Sequence, residues 1–320
     1  MNDVVAENEI LSFRVEAEDA NVRLDAFLAK KIEDWSRSRL QKLIDEEDVL
    51  VNGKTVKSSY KVQANDLIEV ELVAPPLSSF EPENIPLDIV FEDAEIAVIN
   101  KPAGMVVHQG AGVSGGTLAN AIAYHFNFQI PDSRFYNRVG IVHRLDKYTS
   151  GLIVVAKNEG AHEQLSMQFR EREVFKSYLA LVHGKTKEEK GKIDQPMARD
   201  RVNRLRMAIQ AGGRNALTLW QVQQRFERFT LLAVTIKTGR THQIRVHLAS
   251  IKHPVVGDEL YNEGRDKTVP DTKIRQEITK LNRFFLHAER LAFKHPTTGE
   301  LLSFHAPLPP ELENFLGFLT

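Results

Sequence analysis

The chain has 320 residues, of which 42% are hydrophobic and 27% are charged, the balance of an ordinary globular protein. No run of about 18 apolar residues occurs, so no membrane span is expected. A formal net charge of −1 argues against binding nucleic acid through overall charge alone. Cysteine is absent, which excludes disulfides and thiolate catalysis and favours a reducing, cytoplasmic setting. The first nine residues are polar and acidic and do not resemble a secretory signal.

Composition divides the chain into three zones. Residues 13–74 form a compact mixed region with both helical and strand patterns. Residues 75–87 contain four prolines among Ser, Glu and Asn, which is typical of a linker. Residues 88–320 form a long zone in which helix and strand patterns are mixed. We therefore predict a small N-terminal domain, a proline-rich linker that leaves it mobile, and a large C-terminal domain.

In chain order, the first zone begins with a helix over 23–31, where apolar residues share one face. A second helix follows, for which Ser36 or Ser38 is a candidate N-cap. The sequence Val49-Leu-Val-Asn-Gly-Lys predicts a short strand and a tight hairpin turn. Partial alternation over 67–73 predicts a closing strand.

Basic residues gather around the second helix and the hairpin. They are Arg37, Arg39, Lys42, Lys54, Lys57 and Lys61. A solvated charged face is one interpretation, because an acidic run over 45–48 lies beside them. The order Arg23-Leu-Asp-Ala-Phe-Leu, Ser36-Arg-Ser-Arg-Leu-Gln-Lys-Leu-Ile and Val49-Leu-Val-Asn-Gly-Lys resembles an S4 RNA-binding domain. That resemblance implies that the basic residues, with Arg37, Arg39, Lys42 and Lys54 foremost, contact RNA phosphates.

The most specific segment of the second zone runs from Gly140 to Lys157. An apolar strand is predicted to end in His143-Arg-Leu-Asp146, followed by a Thr-Ser-Gly turn and a buried strand over 152–156. This places one carboxylate, Asp146, on a short loop between rigid strands, where catalytic groups often lie. From the residues alone, Asp146 either supports the turn by bonding its own backbone or acts in catalysis.

His-Arg-Leu-Asp followed by Thr-Ser-Gly resembles the signature of the RluA/RluD family of RNA pseudouridine synthases. The resemblance implies that Asp146 is the catalytic residue. One departure is Tyr148, where the family more often has an acidic residue. Lys101-Pro-Ala-Gly-Met-Val-Val-His and Gly116-Thr-Leu resemble the family's first segment. Lys176-Ser-Tyr-Leu-Ala-Leu-Val resembles its second motif, which implies that Tyr178 lines the active site.

A third motif, Thr238-Gly-Arg-Thr-His-Gln-Ile-Arg-Val-His, implies that Arg245 pairs with Asp146. Without the resemblance, the alternative interpretation is that Arg245 is a surface residue with no role, on a helix that Thr241 caps. His253-Pro-Val-Val-Gly-Asp and Leu286-His-Ala complete a match over about nine-tenths of the chain. Residues 262–282 match nothing and are predicted to be a surface insertion.

The resemblance implies an α+β fold. Its catalytic domain has a mixed, mostly antiparallel sheet, flanking helices and a central cleft, beside a small α/β S4-like domain. It also implies a cofactor-free and metal-free isomerisation of uridine in a monomeric enzyme, with Arg144 holding the flipped state. The S4 resemblance favours large-subunit ribosomal RNA over transfer RNA. A further basic group is either a solvated loop or a clamp on RNA. It contains Arg201, Arg204 and Arg206, with Arg199 and Arg214.

Two other classes of function stay open. A metal hydrolase could use some of the eleven histidines, although no His-Glu-x-x-His pair occurs and His242 and His247 are five residues apart. A non-catalytic RNA-binding or ribosome-assembly factor could retain the fold, although it would not need Asp146, Tyr178 and Arg245 together.

Overall fold

The computed structural model describes residues 9–32, 37–45, 48–72, 81–109, 113–128, 139–200, 202–203 and 206–319. By its internal contacts the chain divides into two units, 1–79 and 80–320. The predicted boundaries at residues 74 and 87 remain predictions. No helix within the described ranges is long and apolar enough to cross a membrane.

The N-terminal unit is a small antiparallel sheet covered by two helices. Its elements are β1 (Glu9–Arg14), α1 (Leu24–Lys31), α2 (Arg37–Asp45), β2 (Val49–Val51), β3 (Lys54–Thr55) and β4 (Leu67–Leu72), with sheet order β1-β4-β2-β3. Leu24, Phe27 and Leu28 of α1 pack against the apolar faces of α2 and the sheet. Asn52 and Gly53 both have positive φ, as a type I′ hairpin turn requires. The predicted hairpin is therefore confirmed, whereas β1 was not predicted.

The C-terminal unit is built on one large sheet. In chain order its elements are β5 (Ile89–Glu92), β6 (Ile96–Lys101), α3 (Leu118–His125), β7 (Ser150–Ala156), α4 (Glu159–Glu171), β8 (Phe175–His183), β9 (Lys190–Asp194), β10 (Met197–Arg199), β11 (Met207–Ile209), β12 (Leu217–Arg225), β13 (Phe229–Ile236), α5 (Gln243–Ser250), α6 (Thr272–Leu281), β14 (Leu286–Lys294), β15 (Leu301–His305) and α7 (Pro310–Leu319). The strand order is β5-β6-β7-β14-β8-β13-β12-β9, β15 pairs with β14, and β10 and β11 form a separate hairpin.

Within the described strands, β7 and β14 are parallel and the other pairs of the large sheet are antiparallel. Helices cover both faces of this sheet, so alternate residues of β6 are buried on opposite sides. Ala97 and Ile99 pack with the α3 cluster, whereas Ile96 and Val98 pack with the α4 cluster. The same two-sided burial explains the continuous apolar run of β7. The predicted mixed, mostly antiparallel α+β fold is confirmed.

The apolar segment before Asp146 is not the strand that we predicted. Val139 and Gly140 have positive φ, and in place of a strand ladder an isolated bridge between Ile141 and Val155 joins this segment to β7. Gly140 lies so close to the β7 backbone that an added Cβ would be 1.9 Å from the Ala156 oxygen. A side chain at this position would collide with backbone, which is why the turn requires glycine.

Two further local predictions were wrong. Thr241 does not cap α5, because His242 precedes the helix with φ 57° and makes no side-chain cap bond. Instead, the Gln243 carboxamide oxygen accepts a 3.1 Å bond from the Arg240 amide. Residues 262–282 are not a surface insertion, because Val269 and Ile278 are buried in the main core. A short 3-10 helix, Arg265–Thr268, and α6 make this segment part of the domain.

Candidate active site

A cleft in the C-terminal unit has two adjoining lobes. The first lobe, about 1090 Å³, is lined by Tyr178 of β8 and by the segment between β13 and α5. The second lobe, about 1330 Å³, is lined by Tyr148 and by much of the 257–284 segment. Arg144, Asp146 and Arg245 line both lobes, so these residues stand where the two meet. Typical small-molecule pockets are about 300–1000 Å³, and a cleft of this size suits a larger substrate.

Asp146 lies on an irregular segment that leads into β7. Leu145 is buried beneath it, and the Asp146 backbone oxygen accepts a 3.0 Å bond from the Thr149 amide, which closes the turn. The carboxylate itself does not support this turn. Its Oδ2 accepts a 3.1 Å bond from Arg245, and its side chain is 20% exposed to the cleft. The turn-supporting interpretation of Asp146 therefore does not describe the structure.

Arg245 of α5 is held between two carboxylates. Its Nε and Nη2 donate bonds of 2.7 and 2.8 Å to the two oxygens of Asp258, and Nη1 donates to Asp146. The guanidinium also lies 4.2 Å from the Phe284 ring centre and 5.0 Å from that of Tyr261. Burial alone would lower the pKa of Arg245, but the interactions with Asp258 and Asp146 outweigh it and raise that pKa. The expected pair of Arg245 and Asp146 is present.

Asp258 is a site residue that we did not predict. It is 1% exposed, and its bidentate geometry fixes the plane of the Arg245 guanidinium. The one signal in the sequence was its place at the end of His253-Pro-Val-Val-Gly-Asp, a motif that we matched without assigning a role to the aspartate. The two partners are 13 positions apart in the sequence.

Tyr178 lies in the wall of the first lobe with 6% of its surface exposed. Burial, and then the negative charge of Asp146, raise the pKa of its hydroxyl. The hydroxyl therefore stays protonated at neutral pH, and it can donate a hydrogen bond but not act as a ready base. Tyr178 offers the first lobe an aromatic ring beside the carboxylate.

Lys101 is a second residue that we did not single out. It is fully buried, and its Nζ donates to the carbonyl oxygens of Pro102, Met105 and Lys147. Burial, and then repulsion by Arg283, lower the pKa of Lys101 to about 7, opposed by attraction to Asp146. These bonds join the 101–105 segment to the turn that follows Asp146. The turn thus has support from a part of the chain 46 residues earlier.

Arg144 contrasts with these buried groups. It is exposed and lines both lobes. In the part of the chain that the structure describes, no carboxylate forms an ion pair with it. A guanidinium in this position is available to a phosphate or a base.

The structure describes some of the predicted RNA-contacting residues outside the cleft and not others. Lys54 is exposed on β3. Arg37, Arg39 and Lys42 belong to α2, but their side chains lie outside the described residues, as do Arg201 and Arg204 entirely. Arg206 is half-buried, with its guanidinium 5.1 Å from the Tyr261 ring centre. The Tyr261 hydroxyl accepts a bond from Met207 of β11 and also bonds His242, which connects the β10–β11 hairpin to the cleft.

The histidines that a metal site would need are engaged separately. Nε2 of His143 accepts a bond from the Val154 amide, and its ring stacks on Phe169. Burial, and then Lys176, lower the pKa of His143 to about 3. His247 bonds Thr218, and His287 bonds Ser150. Among the described residues, no group of three or more His, Asp or Glu side chains is arranged to hold a metal ion.

Comparison with known proteins gives two family matches. Residues 95–250 match the RNA pseudouridylate synthase family, and residues 22–68 match the S4 domain. An uncharacterized RNA pseudouridine synthase of Aquifex aeolicus is 43% identical, and the alignment covers 98% of each chain. Ribosomal large subunit pseudouridine synthase D of Pasteurella multocida is 42% identical, over 94% of this chain and 92% of that protein.

A solved structure is also similar. Human RNA pseudouridylate synthase domain containing 1 is 27% identical with a TM-score of 0.56, over 73% of this chain and 89% of the human chain. The matched regions contain Asp146, Tyr178 and Arg245, and the relatives span both units. The chain therefore belongs to the family of RNA pseudouridine synthases, enzymes that isomerise uridine in RNA, and has an S4 domain at its N-terminal side.

Proposed function

We propose that this enzyme converts uridines of large-subunit ribosomal RNA to pseudouridine, with Asp146 acting on the ribose of the target. The name of the Pasteurella multocida relative supports this substrate, as does the S4 domain at residues 22–68 of this chain. We further propose that it works as a monomer in the cytoplasm.

The observation that supports the mechanism best is the position of the Asp146 carboxylate. Where the two lobes meet, Asp146 faces the cleft, and one of its oxygens bonds Arg245. Pseudouridine formation breaks the bond between C1′ and N1, turns the uracil, and joins C1′ to C5. N1 gains a proton and C5 loses one, so the reaction needs no net oxidant or reductant. Positive charge develops at C1′ as the first bond loosens, and a carboxylate stabilises it.

Two routes are available to Asp146. It can attack C1′ to form a covalent ester, or it can remove the proton from C2′ so that the sugar becomes a glycal. In both routes the carboxylate must be ionised and aimed at one edge of the ribose. Arg245 holds it in that orientation and is in turn held by Asp258.

Tyr178 and Arg144 have different proposed tasks. The buried Tyr178 ring is placed to contact the face of the uracil in the first lobe, and its hydroxyl stays protonated. A uridine in folded RNA must leave its stack to enter this lobe. Arg144 is exposed beside Asp146, so its guanidinium can fill or stabilise the gap left in the RNA.

The test uses purified protein and unmodified large-subunit ribosomal RNA, without added metal or cofactor. Pseudouridines are mapped by chemical labelling and primer-extension stops, with Asp146→Ala and the isosteric Asp146→Asn beside the wild type. New stops with the wild type alone support the proposal and locate the target. If stops appear with transfer RNA and not with ribosomal RNA, the proposed substrate is wrong, but the proposed isomerisation of uridine stands.

Deuterium at C2′ of the target separates the two routes. If Asp146 removes that proton, the deuterated RNA reacts more slowly in single-turnover measurements. An equal rate, together with a covalent adduct trapped by a slow substrate analogue, indicates attack on C1′.

A further inference from the structure

The proposed function places the uracil in the first lobe and gives the second lobe of the cleft no role. The second lobe adjoins the first lobe at Arg144, Asp146 and Arg245. A target uridine is joined to a nucleotide on each side, so the RNA chain must continue out of the first lobe, and these residues border one exit from it. The second lobe, at about 1330 Å³, lies beside that exit.

Tyr148 is the aromatic residue that this lobe presents to solvent. It stands two residues after Asp146, and 37% of its surface is exposed. Its ring lies 6.2 Å from the Phe284 ring in an edge-to-face arrangement, which anchors it to the wall. The Lys147 ammonium lies 5.2 Å from the Tyr148 ring centre. Because Lys147 is exposed, an RNA base can take its place on the ring while the ammonium moves to a phosphate.

The charges of the lobe also suit RNA. Cationic side chains outnumber carboxylates in its lining. Asp258 is already bonded to Arg245, and Asp266 bonds His183 and Asn262. Within the described residues, Lys147 and Lys267 have no carboxylate partner. Lysines without ion pairs that line the same lobe as an exposed aromatic ring are typical of sites for single-stranded RNA.

Helix α6 presents a polar stripe to the same lobe. Thr272, Gln276 and Thr279 line it at helical spacing. Ile278 is buried in the core and Ile274 packs against it, which fixes the helix in this rotation. The segment 262–282 thus places hydrogen-bonding groups along a wall of the cleft.

We propose that the second lobe binds an unpaired nucleotide next to the target uridine, with its base against Tyr148 and its phosphates near Lys147 and Lys267. This subsite rests on the proposed function, because it holds the same RNA that reacts at Asp146. It would add sequence or structure selectivity at a neighbouring position without taking part in the chemistry.

The test compares Tyr148→Ala with Tyr148→Phe and with Tyr124→Ala, a matched control at an exposed tyrosine outside both lobes. The substrate is a short RNA that contains the site mapped with the wild type. A second series of RNAs has an abasic ribose at each neighbouring position in turn. Both the dissociation constant and the separate values of kcat and KM are measured.

Tyr148→Ala should weaken binding and raise KM roughly tenfold, the usual effect of losing one stacked base, while kcat changes little. Tyr148→Phe should retain tight binding, because the ring remains. One abasic RNA should weaken wild-type binding by the same factor and should not weaken Tyr148→Ala further.

A KM for Tyr148→Ala that equals that of Tyr124→Ala would overturn the subsite. The subsite would also be overturned if every abasic RNA weakened the binding of Tyr148→Ala by as large a factor as it weakens the binding of the wild type. In both of those results the wild type still modifies RNA, so the proposed function stands. If the wild type modifies no RNA, the proposed function fails and the subsite fails with it.

Discussion

Two charged regions meet at Asp146, and they are built in opposite ways. The buried network consists of Asp146, Arg245 and Asp258, joined by three hydrogen bonds of 2.7 to 3.1 Å. The exposed rim consists of Arg144, Lys147 and Tyr148, each in contact with solvent. Removing charges from water is costly, so the network is stable only with its partners in place, and it therefore fixes geometry before substrate arrives. The side chains of the rim stay in water, so they do not need fixed partners and can adjust to RNA.

The largest effect should come from Asp258→Asn, which weakens the network at a side chain that is 1% exposed and leaves Asp146 itself unchanged. We expect kcat to fall about 100-fold, because a small displacement of a catalytic group can have that effect. The free energy of unfolding should fall by about 3 kcal/mol, since a buried cation loses a charged partner. Single-turnover rates and urea denaturation measure the two quantities.

The matched control is Glu189→Gln, which breaks an equally short but exposed pair with Arg225. That change should lower stability by less than about 1 kcal/mol and leave activity unchanged. Equal effects of the two substitutions would show that burial does not distinguish the network from a surface pair.

Arg144→Ala tests the rim. We expect kcat/KM to fall about tenfold or more, because the exposed guanidinium no longer assists the flipped RNA, while stability stays within about 0.5 kcal/mol. Arg144→Lys should recover part of the activity. Arg228→Ala removes an exposed arginine outside both lobes and serves as the control. A large loss of stability in Arg144→Ala would mean that the rim is structural.

The buried residue His287 should make the free energy of unfolding depend on pH. Burial, the largest cause, lowers the pKa of His287 to about 4, from a value of 6.5 in an exposed histidine. Between these values the unfolded chain binds more protons, so the stabilising contribution is complete above pH 6.5 and decreases as the pH falls toward 4. The free energy of unfolding should therefore be lower at pH 4.5 than at pH 7.

His287→Gln should reduce that decrease by between about 1 and 3 kcal/mol. His125→Gln, which removes an exposed histidine at the end of α3, is the control. The prediction fails if wild type and His287→Gln lose the same stability between the two pH values.

The smallest effect should come from Lys54→Ala in the N-terminal unit. An exposed lysine that contacts one phosphate should change RNA affinity a few-fold and reduce the slope of log K against log salt by about 1. Lys192→Ala, an exposed lysine on β9, is the control. An unchanged salt slope would exclude a phosphate contact at Lys54.

The local features of this protein were determined by its sequence. Asn52-Gly53 gives a hairpin because both residues tolerate positive φ, and the apolar spacing of α1 gives a helix with one buried face. The segment around Asp146 and the motif around Arg245 identified the family before any geometry was known. Such signals are short in range, since they depend on residues within a few positions of one another.

Contacts between distant residues were decided only by the tertiary structure. Asp146 and Arg245 are 99 residues apart, and we expected them to meet only because of a family resemblance. No local pattern marked Asp258 as the second partner of Arg245, or Lys101 as the support of the turn after Asp146. Residues 262–282 looked like an insertion because their polar residues face a cleft, and from sequence such a face cannot be distinguished from one in solvent. Periodicity shows which side of an element is buried, but the partner that buries it depends on the packing of the whole domain.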